Sequence, residues 1–287
     1  MKYRTLARKR SPIHYFVLAV LGLSPLFAHA EAAYPHGETV PGNTAFFSVG
    51  MGITMGPVYE GSDDYAALPL LLVKGRLPTE RWGTFSGSAE DGLRWDLPSS
   101  SSLAFALLAG YDIGRKERVR ILGGHNTRLV GMGDLDSSPL VGGEVSWRLS
   151  TGRLFVRGMQ ATNNRTYGGR DLNRTAFMNI GVASDYPVSD VLSLATSVYG
   201  TWGDSGYMAS RFGVSGEQAA HTTFDDYHIG RGMQDMTLKV GAHWQWMPKV
   251  SLEGGMKATA LVANARNSPL VDKSVGASLY LGMQYTF

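Results

Sequence analysis

The chain has 287 residues, with 27 Lys and Arg against 24 Asp and Glu, 36 glycines and no cysteine. Without a thiol there is no disulfide framework, no cysteine nucleophile and no lipid-modified cysteine anchor. Five basic residues and no acidic one stand in the first 30 positions. Taking those five from 27 leaves 22 against 24, so the basic balance is no argument for nucleic acid.

Lys2, Arg4, Arg8, Lys9 and Arg10 open the chain, an apolar stretch runs from Ile13 to Phe27, and Ala28-His29-Ala30 fits an A-x-A cleavage site. This order of features reads as a secretory signal peptide over residues 1–30. Pro25 and the shortness of the stretch speak against a membrane anchor, which needs roughly 20 apolar residues. Residues 31–43 then read as an N-terminal segment, with the remainder, 44–287, as one β-rich unit.

From residue 44 onward the dominant signal is alternation. Ala45, Phe47, Val49, Met51, Ile53 and Met55 share one face of the first segment, and Leu103, Phe105, Leu107, Ala109, Tyr111 and Ile113 share one face of a later one. Met236, Leu238, Val240, Ala242, Trp244 and Trp246 alternate with Asp235, Thr237, Lys239, Gly241, His243 and Gln245. At the C-terminus Val275, Ala277, Leu279, Leu281, Met283, Tyr285 and Phe287 alternate with small and polar residues. Period two over such lengths means strands with one apolar face.

Twelve strands are predicted, at 44–55, 65–76, 80–87, 89–97, 102–113, 138–149, 152–162, 174–186, 190–203, 233–246, 249–263 and 273–287. The links alternate in length. Short turns at 77–79, 98–101, 150–151, 187–189 and 247–249 interleave with longer links at 56–64, 114–137, 163–173, 204–232 and 264–272, and only the link near Ser88 breaks the rule. Short turns at one end and long loops at the other, with both termini at the turn end, describe an even-stranded transmembrane barrel with periplasmic termini. A soluble sandwich or lipocalin-like barrel also alternates. The Gly, Ser and Thr of the polar face suit a lumen, and the aromatics at strand ends suit an interfacial girdle, so the expectation is an all-β antiparallel barrel in the outer membrane. Twelve strands are also few enough for side chains to fill much of the lumen, against a wide pore.

Four segments carry a family resemblance. Pro57-Val58-Tyr59-Glu60-Gly61-Ser62-Asp63-Asp64-Tyr65 is followed by Leu68-Pro69; Gly131-Met132-Gly133-Asp134-Leu135-Asp136 lies in the second long link. Tyr207-Met208, Arg211-Phe212-Gly213-Val214-Ser215 and Gln218-Ala219 lie in the longest link, and Asn267-Ser268-Pro269-Leu270-Val271 precedes the last strand. In order and spacing these resemble the MipA/OmpV family of outer-membrane proteins. The resemblance marks Pro57, Tyr59, Gly61, Ser62, Tyr65, Gly133, Asp134, Asp136, Phe212, Gly213, Ser268 and Pro269 as family-motif residues. It implies a scaffold whose partners are a lytic transglycosylase and a peptidoglycan synthase, with adhesion as another role seen in the family. The terminal Tyr285 and Phe287 resemble the aromatic signal read by the barrel-assembly machinery.

No cofactor, metal site or catalytic set is expected. Asp63-Asp64 and Asp225-Asp226 with His228 are acidic loop residues, and loops are rich in Asp for conformational reasons. Ser62 lacks the G-x-S-x-G elbow, and His221 and His228 lack converging ligands. The lumen offers one constellation. A three-residue turn at Met247 to Lys249 sets Trp246 opposite Val250, His243 opposite Glu253 and Lys239 opposite Lys257. Two facing lysines require nearby carboxylates, such as Asp235 or Glu253. The expected function is a scaffold or interaction protein held in outer-membrane lipid, with 31–43 as its periplasmic handle. The alternatives are a narrow solute channel, or an adhesin using Arg211, Phe212, Asp225, Asp226 and Tyr227.

Overall fold

The computed structural model describes residues 44–121 and 124–287. The expected signal peptide and the 31–43 segment lie outside the described residues.

Twelve antiparallel strands close into a barrel. In chain order the first five strands are β1 (Phe46–Pro57), β2 (Tyr65–Thr79), β3 (Gly83–Ser88), β4 (Gly92–Asp96) and β5 (Leu103–Asp112). A small hairpin, β6 (Val119–Ile121) and β7 (Gly124–Asn126), interrupts the wall before β8 (Ser138–Leu149) and β9 (Gly152–Ala161). A second, β10 (Arg165–Tyr167) and β11 (Arg170–Asn173), precedes β12 (Ala176–Pro187) and β13 (Leu192–Gly203). Two helices follow, α1 (Ser205–Phe212) and α2 (Gly216–His221), then β14 (Gly232–Met247), β15 (Val250–Leu261), the single turn α3 (Ala263–Arg266) and β16 (Val275–Thr286). The seam is the β1–β16 ladder, from Ser48↔Thr286 to Met55↔Leu279.

The barrel decides which face is which. Met51, Ile53 and Met55 of β1, and Val275, Leu279, Leu281 and Met283 of β16, are exposed on the outside, while Ser48, Thr54 and Gln284 are buried and line the lumen. Met51 keeps 75 % of its surface uncovered and Gln284 only 2 %. This inverts a soluble protein and requires hydrocarbon outside. The chain is an outer-membrane barrel. No helix among the described residues is long and apolar enough to cross a membrane.

The twelve wall strands fall on the twelve predicted segments, with shifted ends. The expected register below the β14–β15 turn is present, but its turn is different. Met247, not Trp246, faces Val250, because a bulge between Gln245 and Met247 absorbs one residue and leaves a two-residue turn, Pro248-Lys249. The lumen departs further from expectation. Side chains do not fill it: a cavity of about 2410 Å³ runs through the barrel. Closure comes instead from the long links, which fold over one end as a cap.

The wall is uneven. β3 and β4 have 6 and 5 residues, whereas the other ten wall strands have 10 to 16. Ladder pairing of β2 with β3 stops at Lys74↔Ser88, and of β5 with β4 at Leu93↔Ala109. Beyond these points β2 continues to Tyr65 and β5 to Asp112, leaving a notch in the wall at the capped end.

Candidate functional site

Two charged networks and the cap make up the site. On one side of the lumen Glu144 of β8 is buried beneath three arginines. Arg153 Nη1 donates to Oε1 at 2.5 Å and Arg94 Nη2 at 3.0 Å, while Arg157 donates through Nε (2.9 Å) and Nη2 (2.7 Å) to Oε2. Glu144 and Arg157 are direct cross-strand partners, and Arg94 also binds Asp96 at 2.8 Å. Sequence reasoning missed this cluster, because its members come from β4, β8 and β9 and only the closed wall turns them towards one point.

On the other side Glu253 of β15 accepts from His243 Nδ1 at 3.1 Å and from Lys74 Nζ at 2.5 Å. Lys74 belongs to β2 and reaches Glu253 past β1 and β16. It was not among the predicted lumen residues. Lys239 and Lys257 do face each other, and the Lys239 ammonium lies 5.6 Å from the Tyr199 ring centre. A ring face is attractive to a cation when little water intervenes. Asp235 accepts from Thr201 (3.1 Å) and Thr237 (3.0 Å).

The cap is built from all four motif segments. Asp204 caps α1 by accepting from the Tyr207 amide, and Ser215 with Gln218 forms a capping box on α2. Phe212, at the end of α1, is fully buried with Met208, Leu129, Met132, Leu135 and Leu270. Ser268 Oγ donates to the Phe212 carbonyl at 2.6 Å, and Gln218 Nε2 to the Met132 carbonyl at 2.7 Å. Gly213 approaches the Ala209 carbonyl so closely that a Cβ would lie 2.7 Å from its oxygen. In the first motif Tyr59 donates to Asp272 Oδ2 at 2.9 Å, Arg128 donates to the other oxygen at 2.9 Å, and the Gly61 carbonyl accepts from the Asp272 and Lys273 amides. The Tyr65 hydroxyl accepts from the Ala277 amide at 3.2 Å, and Ser62 Oγ from the Asp64 amide at 3.1 Å.

The glycine-rich motif forms a turn around a carboxylate. Gly131 and Gly133 have φ of +95° and +76°, and their amides donate to Glu117 Oε2 at 3.1 and 3.3 Å. Asp134 accepts from the Glu117 amide at 3.0 Å and from Lys116 at 2.9 Å. Burial opposes its charge, but these donors hold its carboxyl below the ordinary value. The Asp136 carbonyl accepts from Arg165, whose other nitrogen binds Asp112 at 2.6 Å. Pro57 ends β1, and Pro269 lies in the turn closed by the Val271 amide on the Ser268 carbonyl.

A profile described as MltA-interacting protein MipA matches residues 49–287. The chain belongs to this family. The four segments singled out in the sequence, far apart along the chain, are the interlocking parts of this chain's cap. No curated protein sequence matches the chain. Similar solved structures include an outer-membrane channel of Pseudomonas putida F1, at 11 % identity and TM-score 0.45, covering 89 % of this chain and 100 % of that one. The translocator domain of the autotransporter NalP of Neisseria meningitidis is 12 % identical, with TM-score 0.44 and coverages of 85 % and 89 %. OmpT, an outer membrane protein of Vibrio cholerae, is 8 % identical, with TM-score 0.37 and coverages of 88 % and 100 %.

The remaining candidates are dispersed. Asp226 and His228 pair at 3.3 Å on the exposed surface, His221 Nδ1 contacts the Glu217 carbonyl, and among the described residues no three His, Cys, Asp or Glu converge as metal ligands. The adhesive face expected around 211–227 is split. Phe212 is inside the cap, and Arg211 pairs inward with Glu60 (3.1 Å) and Asp112 (3.4 Å), leaving Asp225 and Asp226 on the surface. Tyr285 and Phe287 sit edge-to-face at 5.1 Å on the outer surface, and Phe287 stacks on Phe47 at 5.9 Å.

The cap carries its own pH response. Burial pushes the Tyr59 hydroxyl from 10.0 up to about 12, with the bond to Asp272 adding to the shift. A raised tyrosine value means that the neutral form is favoured in the folded cap. Its contribution is complete below pH 10 and is lost as pH rises towards about 12, where the released segment titrates first. Protease sensitivity of the 204–232 link is expected to rise across that window, and Tyr59→Phe is expected to flatten the rise. Identical pH profiles for the two proteins would contradict the assignment.

Proposed function

We propose that this protein is a capped scaffold of the outer membrane rather than an open pore, linking peptidoglycan-remodelling enzymes to the envelope from its turn end. The observation that supports it is the cap. The long links bury a continuous apolar core at one end of the barrel, while the cavity extends to residues of the opposite end such as Thr151, Pro187 and Pro248. The long links face outward in such a barrel, so the open end of the cup and both termini face the periplasm. The charged networks hold the lumen wall in shape; they include no arranged nucleophile and base. Tyr285 and Phe287 serve in this reading as the signal to the barrel-assembly machinery.

The turns at the open end are short, which leaves 31–43 as the handle for a lytic transglycosylase or a peptidoglycan synthase. Deleting 31–43 is expected to abolish capture of both enzymes from solubilised envelopes while the barrel still assembles. Undiminished capture would remove the handle from this reading. A narrow channel is the second reading, favoured by the polar, hollow lumen, and it requires the cap to open.

A further inference from the structure

The notch between β2 and β5 lies at the height of the membrane. Met51, Ile53 and Met55 of β1, beside the free stretch of β2, are exposed apolar residues, as is Tyr111 of β5 on the other rim. Strands of 6 and 5 residues rise roughly 20 Å at about 3.3 Å per residue before any tilt, and less once tilted at about 40°. They do not span an apolar band about 25 Å tall. Among the described residues no ladder joins β2 between Tyr65 and Leu72 to a strand other than β1; the Val73 carbonyl accepts from the Ala89 amide at 3.0 Å, and β6 of the 113–137 link lies close to β2 without pairing with it. Pro69, which has no N–H for a ladder, sits in that stretch.

A second observation is independent of pairing. The lumen cavity is lined by both faces of the two rims: Pro69 and Leu71 as well as Leu68 and Leu70 on β2, and Tyr111 as well as Leu108 on β5. Elsewhere in the wall β15 and β16 line it at the same height only with alternate residues, such as Lys257 and Thr259, or Gly276 and Ser278. Two-face lining also occurs at the turn end, at Ala183–Pro187 of β12; at the rims of the notch it accords with an opening in the wall. A small apolar patch lies behind the notch, beside Glu90 and Asp91 of the β3–β4 turn. Leu70 and Leu72 pack with Tyr280, and Leu72 lies flat over β16 because Gly282 has no Cβ, which would come within 2.4 Å of its Cδ1.

We propose that this notch is a lateral portal that admits the acyl chain of a bilayer lipid into the barrel. Whatever protein leaves uncovered at this height meets lipid. A bare backbone edge in pure hydrocarbon is costly, whereas one that borders a wet cavity is tolerated. The opening thus offers polar backbone and lumen water beside a patch of leucines, which suits a chain lodged against Leu70 and Leu108 with its head at the polar rim. The portal is independent of the scaffold reading.

The chain has no cysteine and encodes its probes cleanly. Benzoyl-phenylalanine is placed at Leu108, on the portal rim, and for comparison at Ser197, on the lumen face of β13, and the full-length protein is irradiated in native envelopes. Lipid adducts several-fold more abundant at Leu108 than at Ser197 are expected. Gly110→Phe, at a lumen-facing position where a Cβ meets nothing nearer than 3.5 Å, is expected to remove them by filling the opening. Equal adducts at both positions would place lipid entry at the barrel ends and overturn the portal. Cross-links confined to residues 113–137 would show that this link seals the notch, and would overturn it as well. Should Gly110→Phe fail the heat-modifiable mobility test of a folded barrel, Leu108→Trp in vesicles of acyl-brominated phosphatidylcholine decides. Quenching of the added fluorescence supports the portal, and its absence refutes it.

Discussion

Glu144→Gln is expected to destabilise the barrel by about 3–5 kcal/mol, the range for removing one partner from a buried charge cluster. The carboxylate accepts from all three guanidinium groups, and a neutral amide of the same shape leaves three cations facing one another across β4, β8 and β9. Its amide nitrogen would also present a donor to donors. Arg153→Gln is the informative comparison, because Arg94 and Arg157 still bind Glu144, so a loss nearer 1 kcal/mol is expected, in line with an ordinary hydrogen bond. Urea unfolding of protein refolded into lipid vesicles measures both. A Glu144→Gln loss below about 1 kcal/mol would mean that lumen water solvates the cluster and that it adds little to the wall.

Phe212→Ala tests the cap. The ring is fully buried where α1 meets Leu270, Met132 and Leu129, and such truncations cost about 3–5 kcal/mol. The cap is made from links rather than wall strands, so the loss is expected to appear as local opening with the barrel intact. In planar bilayers the parent protein is expected to remain silent, and Phe212→Ala to show intermittent current steps as the cavity connects the two sides. Protease cleavage in 204–232 is expected to rise in parallel, with unchanged heat-modifiable mobility. Steady conduction by the parent would show that the cap does not close the lumen and would favour the channel reading.

Much of the wall was legible from residue order. Alternation places the twelve strands, and the sum of paired positions in β14 and β15 sets Lys239 against Lys257 and His243 against Glu253. The bulge at Trp246 escaped, because a three-residue turn and a two-residue turn with a bulge give the same register beyond the turn. The link near Ser88 was the one exception to the rhythm of short and long connections, and it marks the notch. Its meaning was hidden, since a short link at the loop end looks like a minor irregularity until its neighbours prove longer. The helices α1 and α2 were not anticipated in the 204–232 link, although Asp204 and the Ser215–Gln218 spacing are capping signals that were available.

Residue order by itself determined what depends on neighbours: strand period, which residues share a face, and which pairs meet across a turn. Backbone geometry repeats every two residues, so these follow locally. The closed structure decided the rest. Lys74 meets Glu253, and two strands, β4 and β9, bring three arginines to Glu144, because closure and tilt bring distant strands within side-chain reach. Four separated motifs become one cap for the same reason. Their contacts are set by how the barrel rim positions the ends of each link, and no local pattern encodes that.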